Sequence, residues 1–101
     1  MTANAIHHEI LDKVVSKDLS AKFALAARIN ELVDQRSLSQ MEIANITSMT
    51  QPKVSQIRCY KLHNISLERL MQALVSLGQH VEIIVKPLDG NDSASITVHT
   101  P

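Results

Sequence analysis

Apolar residues recur along the chain at helical spacing, then change to a β-like run near its end. Ile6, Ile10, Leu11, Val14 and Val15 form a short stripe that predicts a helix over residues 7–17. Ahead of it, residues 1–5 have nothing to bury and are expected to lack structure. Ser20 is a fitting cap for a second helix over 21–35, with Phe23, Ala26, Ala27, Ile29, Leu32 and Val33 on its buried side. Arg28, Glu31, Asp34 and Arg36 form its solvated face. Further on, Leu67, Leu70, Met71, Leu74 and Leu77 predict a helix over 67–77, capped by Ser66 and stopped by Gly78. The character then changes. Val81 to Lys86 is β-branched and apolar and reads as a strand, and Pro87 ends it. A turn at Asp89-Gly90-Asn91-Asp92 and a second strand over 95–99 complete a predicted hairpin.

Between the second and the last helical stripes lies S-Q-M-E-I-A-N-I-T-S-M-T-Q-P-K-V-S-Q-I-R, residues 39–58. Ser39 can cap a helix over 39–46, because its side-chain oxygen can accept from first-turn amides that lack an intrahelical partner. Thr50 can cap a second helix that opens with Gln51 and Pro52, where proline costs no hydrogen bond. Thr47-Ser48-Met49 leaves room only for a sharp corner. Ala44 is small where two such helices cross, and Val54 is apolar where the crossing must be sealed, with Ile43 and Ile57 beside them. Gln51, Lys53, Ser55 and Gln56 are left on the outer side of the second helix. These side chains can hydrogen-bond base edges or phosphates. Two amphipathic helices with a tight corner also occur in proteins that never meet DNA, so the corner alone leaves both readings open.

Composition narrows the field. The chain has 101 residues, 45% of them hydrophobic, with Phe23 and Tyr60 as its aromatics. That is one domain with a modest core of Ala, Leu, Ile and Val, a mixture that favours packed helices. Ten basic residues balance ten acidic ones, which argues against nucleic-acid binding if only the sum is considered. The distribution argues the other way. Residues 50–69 hold Lys53, Arg58, Lys61 and Arg69 against Glu68, whereas residues 81–101 hold Glu82, Asp89 and Asp92 against Lys86. Positive charge thus lies beside the outer face of residues 51–56. Arg28, Arg36, Lys61, His63 and Asn64 are further candidates for phosphate contact.

Catalytic chemistry finds no footing. Cys59 is the single cysteine, which excludes an internal disulfide and leaves an ordinary, partly buried thiol as its expected role. His7 and His8 are adjacent, whereas two ligands on one helix face want a spacing of three or four. His63, His80 and His99 are scattered without a carboxylate or cysteine cluster. Gly78 and Gly90 are the only glycines, too few for a phosphate-cradling loop. No metal, no cofactor and no enzyme activity are expected. No stretch approaches the roughly 18 apolar residues of a membrane span. With no basic-then-apolar leader either, a cytoplasmic, nucleoid-associated protein is expected.

L-S-Q-M-E-I-A at 38–44 is similar to the L-T-Q-x-E-x-A opening of the lambda-repressor/Cro-like (XRE) helix-turn-helix family. T-Q-P-K-V-S at 50–55 resembles that family's recognition-helix start, S-Q-x-x-V-S. K-L-H-N-I-S-L-E-R-L-M-Q-A-L-V-S-L-G-Q-H-V-E at 61–82 is similar to the loop and helix of the branch that holds HigA-type antitoxins and related regulators. The resemblance covers roughly residues 20–86. It implies a mainly α, lambda-repressor-like five-helix DNA-binding domain and a dimer on a palindromic operator. In that family the position of Gln40 contacts a phosphate and those of Gln51, Lys53 and Gln56 face the major groove, with Ser55 beside them. Two departures stand out: Ser48 occupies the turn's usual glycine position, and Ile65 replaces a phenylalanine.

The sequence therefore predicts an N-terminal extension (residues 1–19), a helix-turn-helix domain (20–78) and a C-terminal strand or hairpin (79–101) that pairs with its symmetry mate. Gln40, Thr50, Gln51, Lys53, Ser55, Gln56, Arg58 and Lys61 are its candidate DNA contacts. The expected function is a sequence-specific repressor. Its partners would be double-stranded DNA, a second copy and, if it is an antitoxin, a cognate toxin gripped by residues 6–19 or the acidic C-terminus. A protein-interaction module without DNA binding is the other reading, supported by zero net charge and the spare stripe at residues 6–15.

Overall fold

The computed structural model describes the backbone of residues 2–90 and 93–101 and the side chains of residues 18–90 and 93–101. It contains four helices among the described residues: α1 (Thr2–Gln35), α2 (Gln40–Thr47), α3 (Gln51–Arg58) and α4 (Leu67–Ser76). Helices α1 and α4 pack on each other, α2 and α3 form the corner, and both corner helices touch the α1–α4 pair.

Five helices were expected, and the difference lies at Ser20. The two N-terminal stripes belong to one 34-residue helix. Lys17-Asp18-Leu19-Ser20 contains neither glycine nor proline, so nothing there breaks a helix that is nucleated by packing further on. Extending an existing helix costs far less than starting one. Residues 2–5, expected to lack structure, form its first turn. The side chains of the stripe at Ile6 to Val15 lie outside the described residues.

Each of the other helices starts as its sequence predicts. Ser39, Thr50 and Ser66 adopt extended backbone angles and accept from the amides of Glu42, Lys53 and Arg69, respectively. At α2 the bond is reciprocated: the Ser39 amide donates to Glu42 Oε1 at 3.1 Å, closing a capping box.

All four helices end in one closure, whose sequence signal is faint. At α4, Gly78 is left-handed (φ +83°), its amide donates to Val75 O, and the Gln79 amide donates to Leu74 O at 2.9 Å. This is the paired closure that satisfies the last carbonyls of a helix. The other three helices make it without glycine. Ser37 (φ 53°), Ser48 (φ 57°) and Tyr60 (φ 58°) hold the left-handed position. Beyond them the amides of Leu38, Met49 and Lys61 donate to Val33, Ala44 and Gln56. An L-residue pays for that backbone with a Cβ–carbonyl clash of roughly 1–2 kcal/mol.

The core runs through all four helices. It joins Leu25, Ala26, Ile29, Leu32 and Val33 of α1 to Ile43, Val54 and Ile57 of the corner and to Leu70, Ala73 and Leu74 of α4. Met49 from the corner and Leu62, Ile65 and Leu77 from the loops complete it. Ile65, where a phenylalanine was the family's habit, is only 1% exposed. Phe23 and Ala27, expected inside, are exposed; Ala21, Leu25 and Asn30 take their places. Cys59 is exposed rather than partly buried, because it sits at the last turn of α3, away from the face that carries Val54 and Ile57.

No strand forms among the described residues after Gly78, so the predicted hairpin is corrected here. Val81 and Val98 lie against the core, but Ile83, Ile84 and Val85 are 72%, 79% and 91% exposed. A strand needs a neighbouring edge for its amides and carbonyls, and the described residues of a single chain offer none to residues 81–86. The turn residues Asn91 and Asp92 lie outside the described residues.

Candidate nucleic-acid interface

Helix α3 is the element that the fold presents. Val54 and Ile57 anchor it, 1% and 2% exposed, while Gln51 and Pro52 at its start are open to solvent and Lys53, Ser55 and Gln56 are half-buried. Gln40 stands exposed on the first turn of α2, and Lys61 is exposed in the loop after α3. Among the described residues, the side chains of Gln40, Gln51, Lys53, Ser55, Gln56 and Lys61 make no hydrogen bond to the protein. Their donors and acceptors are therefore uncommitted. Thr50 is partly committed: its oxygen caps α3 at 3.4 Å from the Lys53 amide, which leaves its O–H able to donate outward.

Arg58 differs from the rest of the candidate set. Its Nη2 donates to Asp34 Oδ1 at 2.7 Å, and its Nη1 donates to Asn30 Oδ1 at 3.0 Å. Asn30 is 6% exposed and in turn donates from Nδ2 to Ile57 O at 3.1 Å. This two-way exchange ties the last turn of α3 to the C-terminal turns of α1. The guanidinium faces α1, not the outer side of α3, and its charge is balanced by Asp34. The positive surplus read from residues 50–69 is thus smaller at the exposed surface than along the chain. Lys53, Lys61 and Arg69 are its members without an ion-pair partner among the described residues, and the Arg69 guanidinium is spent on Ser48 O and Gln72 Oε1.

Three further contacts set the site. Phe23 of α1 stacks on Tyr60, ring centres 5.8 Å apart and planes 11° off parallel. Lys22 Nζ donates to Leu62 O at 3.4 Å. Together they fasten the loop that carries Lys61 to α1. At the corner itself, Arg69 Nη2 of α4 donates to Ser48 O at 2.8 Å. None of these was evident from the sequence. For the Arg58–Asn30 exchange the one available signal was Asn30 itself, a polar residue at helical spacing among Ile29, Leu32 and Val33.

Among the described residues, Glu42 is the one titratable group whose environment moves it clearly. Its carboxylate accepts from the Ser39 backbone amide and interacts with the Ser39 side chain, which holds its pKa below the ordinary 4.5. It braces the start of α2, where Gln40 is displayed.

A capped helix pair with a left-handed corner, packed on two further helices, defines a helix-turn-helix domain, and the helix-turn-helix domain family matches residues 12–86. A solved structure described as a "Putative XRE Family Transcriptional Regulator" superimposes with a TM-score of 0.79 at 37% identity, covering 85% of this chain and 98% of that one. The chain belongs to the XRE-type helix-turn-helix family. No curated protein matches it. No helix among the described residues is long and apolar enough to cross a membrane.

Proposed function

We propose that this protein is a sequence-specific DNA-binding transcriptional regulator that occupies a palindromic operator as a dimer and represses by blocking access to it. The observation that carries the reading is the outer side of α3. Gln51, Lys53 and Gln56 are uncommitted there on a helix whose inner side is locked by Val54 and Ile57. Glutamine can read an adenine edge with both its donor and its acceptor, and lysine can meet phosphate or guanine. Gln40 and Lys61 flank α3 and would set its register against the backbone. Arg58 is assigned to holding α3 rather than to DNA.

One recognition helix on a protein with balanced charge reads weakly, so a second copy is part of the mechanism. Two α3 helices would enter successive major grooves about 34 Å apart. Exposed Ile83, Ile84 and Val85 are the surface that a second copy would cover. In this division of labour residues 20–78 read DNA, residues 79–101 dimerise, and residues 1–19 extend α1 beyond the reading domain. If the protein is an antitoxin, α1's first turns or the acidic C-terminus would hold the toxin, and a small reading frame abutting the gene would mark that pairing.

The second reading, a protein-interaction module without DNA binding, draws on the balanced charge and on the same exposed apolar segment. A gel shift with the gene's own upstream DNA at low salt, where phosphate neutralisation contributes most, separates the two. A retarded complex supports the regulator; none supports the interaction module.

A further inference from the structure

We infer that Arg69 is a positioning residue for α3, acting through the serine that stands in the corner. Three of the four helix closures place a non-glycine residue in the left-handed region. Of these, Ser48 is the one at the joint between α2 and α3, where a change in backbone angle re-aims the recognition helix. Among the described residues it is also the one whose carbonyl receives a side-chain donor from another helix: Arg69 Nη2, at 2.8 Å.

The arginine is itself held in place. Its amide donates to Ser66 Oγ at 3.1 Å, which fixes its position in the first turn of α4. Its Nη1 donates to Gln72 Oε1 at 3.3 Å, and Gln72 Nε2 donates to Glu68 Oε1 at 3.4 Å. One end of the guanidinium is oriented along α4, and the other is left for Ser48. A cation at this point also faces the last turn of α2, the negative end of that helix. Just beyond, Met49 is buried and its amide closes α2 on Ala44 O at 3.2 Å. Arg69 thus holds by an outside bond a backbone conformation that glycine would adopt unaided.

The inference rests on the DNA-reading role of α3 for its consequence but not for its test. Amide exchange reads the corner directly in the full chain. Arg69→Ala should speed exchange at Met49 about tenfold relative to Lys61 and Gln79, whose closures lie at other helix ends, the factor expected from losing one charge-assisted hydrogen bond. Adding Ser48→Gly should return Met49 to within about threefold of its original rate. Unchanged Met49 exchange, or equal acceleration at all three amides, would overturn the inference. Binding to a duplex selected from a random library gives the second readout. Arg69→Ala should weaken it about tenfold and Ser48→Gly should restore it, whereas a loss that Ser48→Gly leaves in place would mean a direct phosphate contact and would also overturn the inference. If the unaltered protein binds no duplex, the proposed function fails and the exchange result alone decides the role of Arg69.

Discussion

Arg58 and Asn30 exchange hydrogen bonds with each other's helices: Arg58 Nη1 donates to Asn30 Oδ1 at 3.0 Å while Asn30 Nδ2 donates to Ile57 O at 3.1 Å. The pair fixes the C-terminal end of α3 to α1, as the corner at Ser48 fixes its other end. Asn30→Ala removes both side-chain bonds, leaving the Ile57 carbonyl with the Tyr60 amide and Arg58 Nη1 with the residue-30 backbone carbonyl. A loss of about 1–3 kcal/mol is expected in urea unfolding. A change below about 0.5 kcal/mol, the range of ordinary surface substitutions, would mean that the pair is not structural.

Arg58 and Lys53 are both basic residues of α3, and their substitutions should fail in different ways. Arg58→Ala should lower unfolding stability and weaken DNA binding only as far as α3 loosens. Lys53→Ala should leave stability intact, weaken binding to all sequences alike and reduce the salt slope by about 1 if it meets phosphate. Gln51→Ala and Gln56→Ala should relax sequence preference instead, by about 1–3 kcal/mol of discrimination each. Competition binding with point-altered duplexes separates the patterns, and identical losses from all of them on every sequence would contradict the assignments.

The start of α2 should weaken in acid. Glu42 has a folded pKa below its ordinary 4.5 because the ionised carboxylate accepts from the Ser39 amide. Its contribution is therefore present above the unfolded value and is lost as pH falls through the folded one. Glu42→Gln should remove that part of the dependence between neutral pH and a pH below 4.5. Thermal melts of the two proteins at both pH values measure it, and parallel curves would refute the capping role.

The exposed C-terminal segment predicts the assembly state. The protein should sediment as a dimer, and Ile84→Asp, at a position 79% exposed in the single chain, should give a folded monomer with an unchanged helical spectrum. A monomeric parent protein would contradict the pairing of two recognition helices.

What could be read from the chain was what is determined locally. The starts of α2, α3 and α4 follow from Ser39, Thr50 and Ser66, whose side chains bond within their own first turns. Ser48, standing where the related family has glycine, leaves open a left-handed serine or a reshaped corner, and the backbone is left-handed. Long-range facts left weaker traces. Ser20 has a cap's chemistry but no break before it, so it was read as a boundary where α1 continues. Phe23 looks like core by type, yet it pairs with Tyr60 at the surface. Arg58 resembles its neighbours in charge, and only the position of α1 reveals that Asn30 and Asp34 hold it. Residues 81–86 have strand composition, but composition does not supply the neighbouring edge.

The most direct measurement is selection from a random duplex library at low salt, followed by sequencing. Enrichment of one palindrome is expected, two half-sites with centres about one helical turn apart, lost when Gln51 and Gln56 are both alanine. A library that emerges unenriched, with no complex at any salt, would contradict the claim that α3 reads DNA.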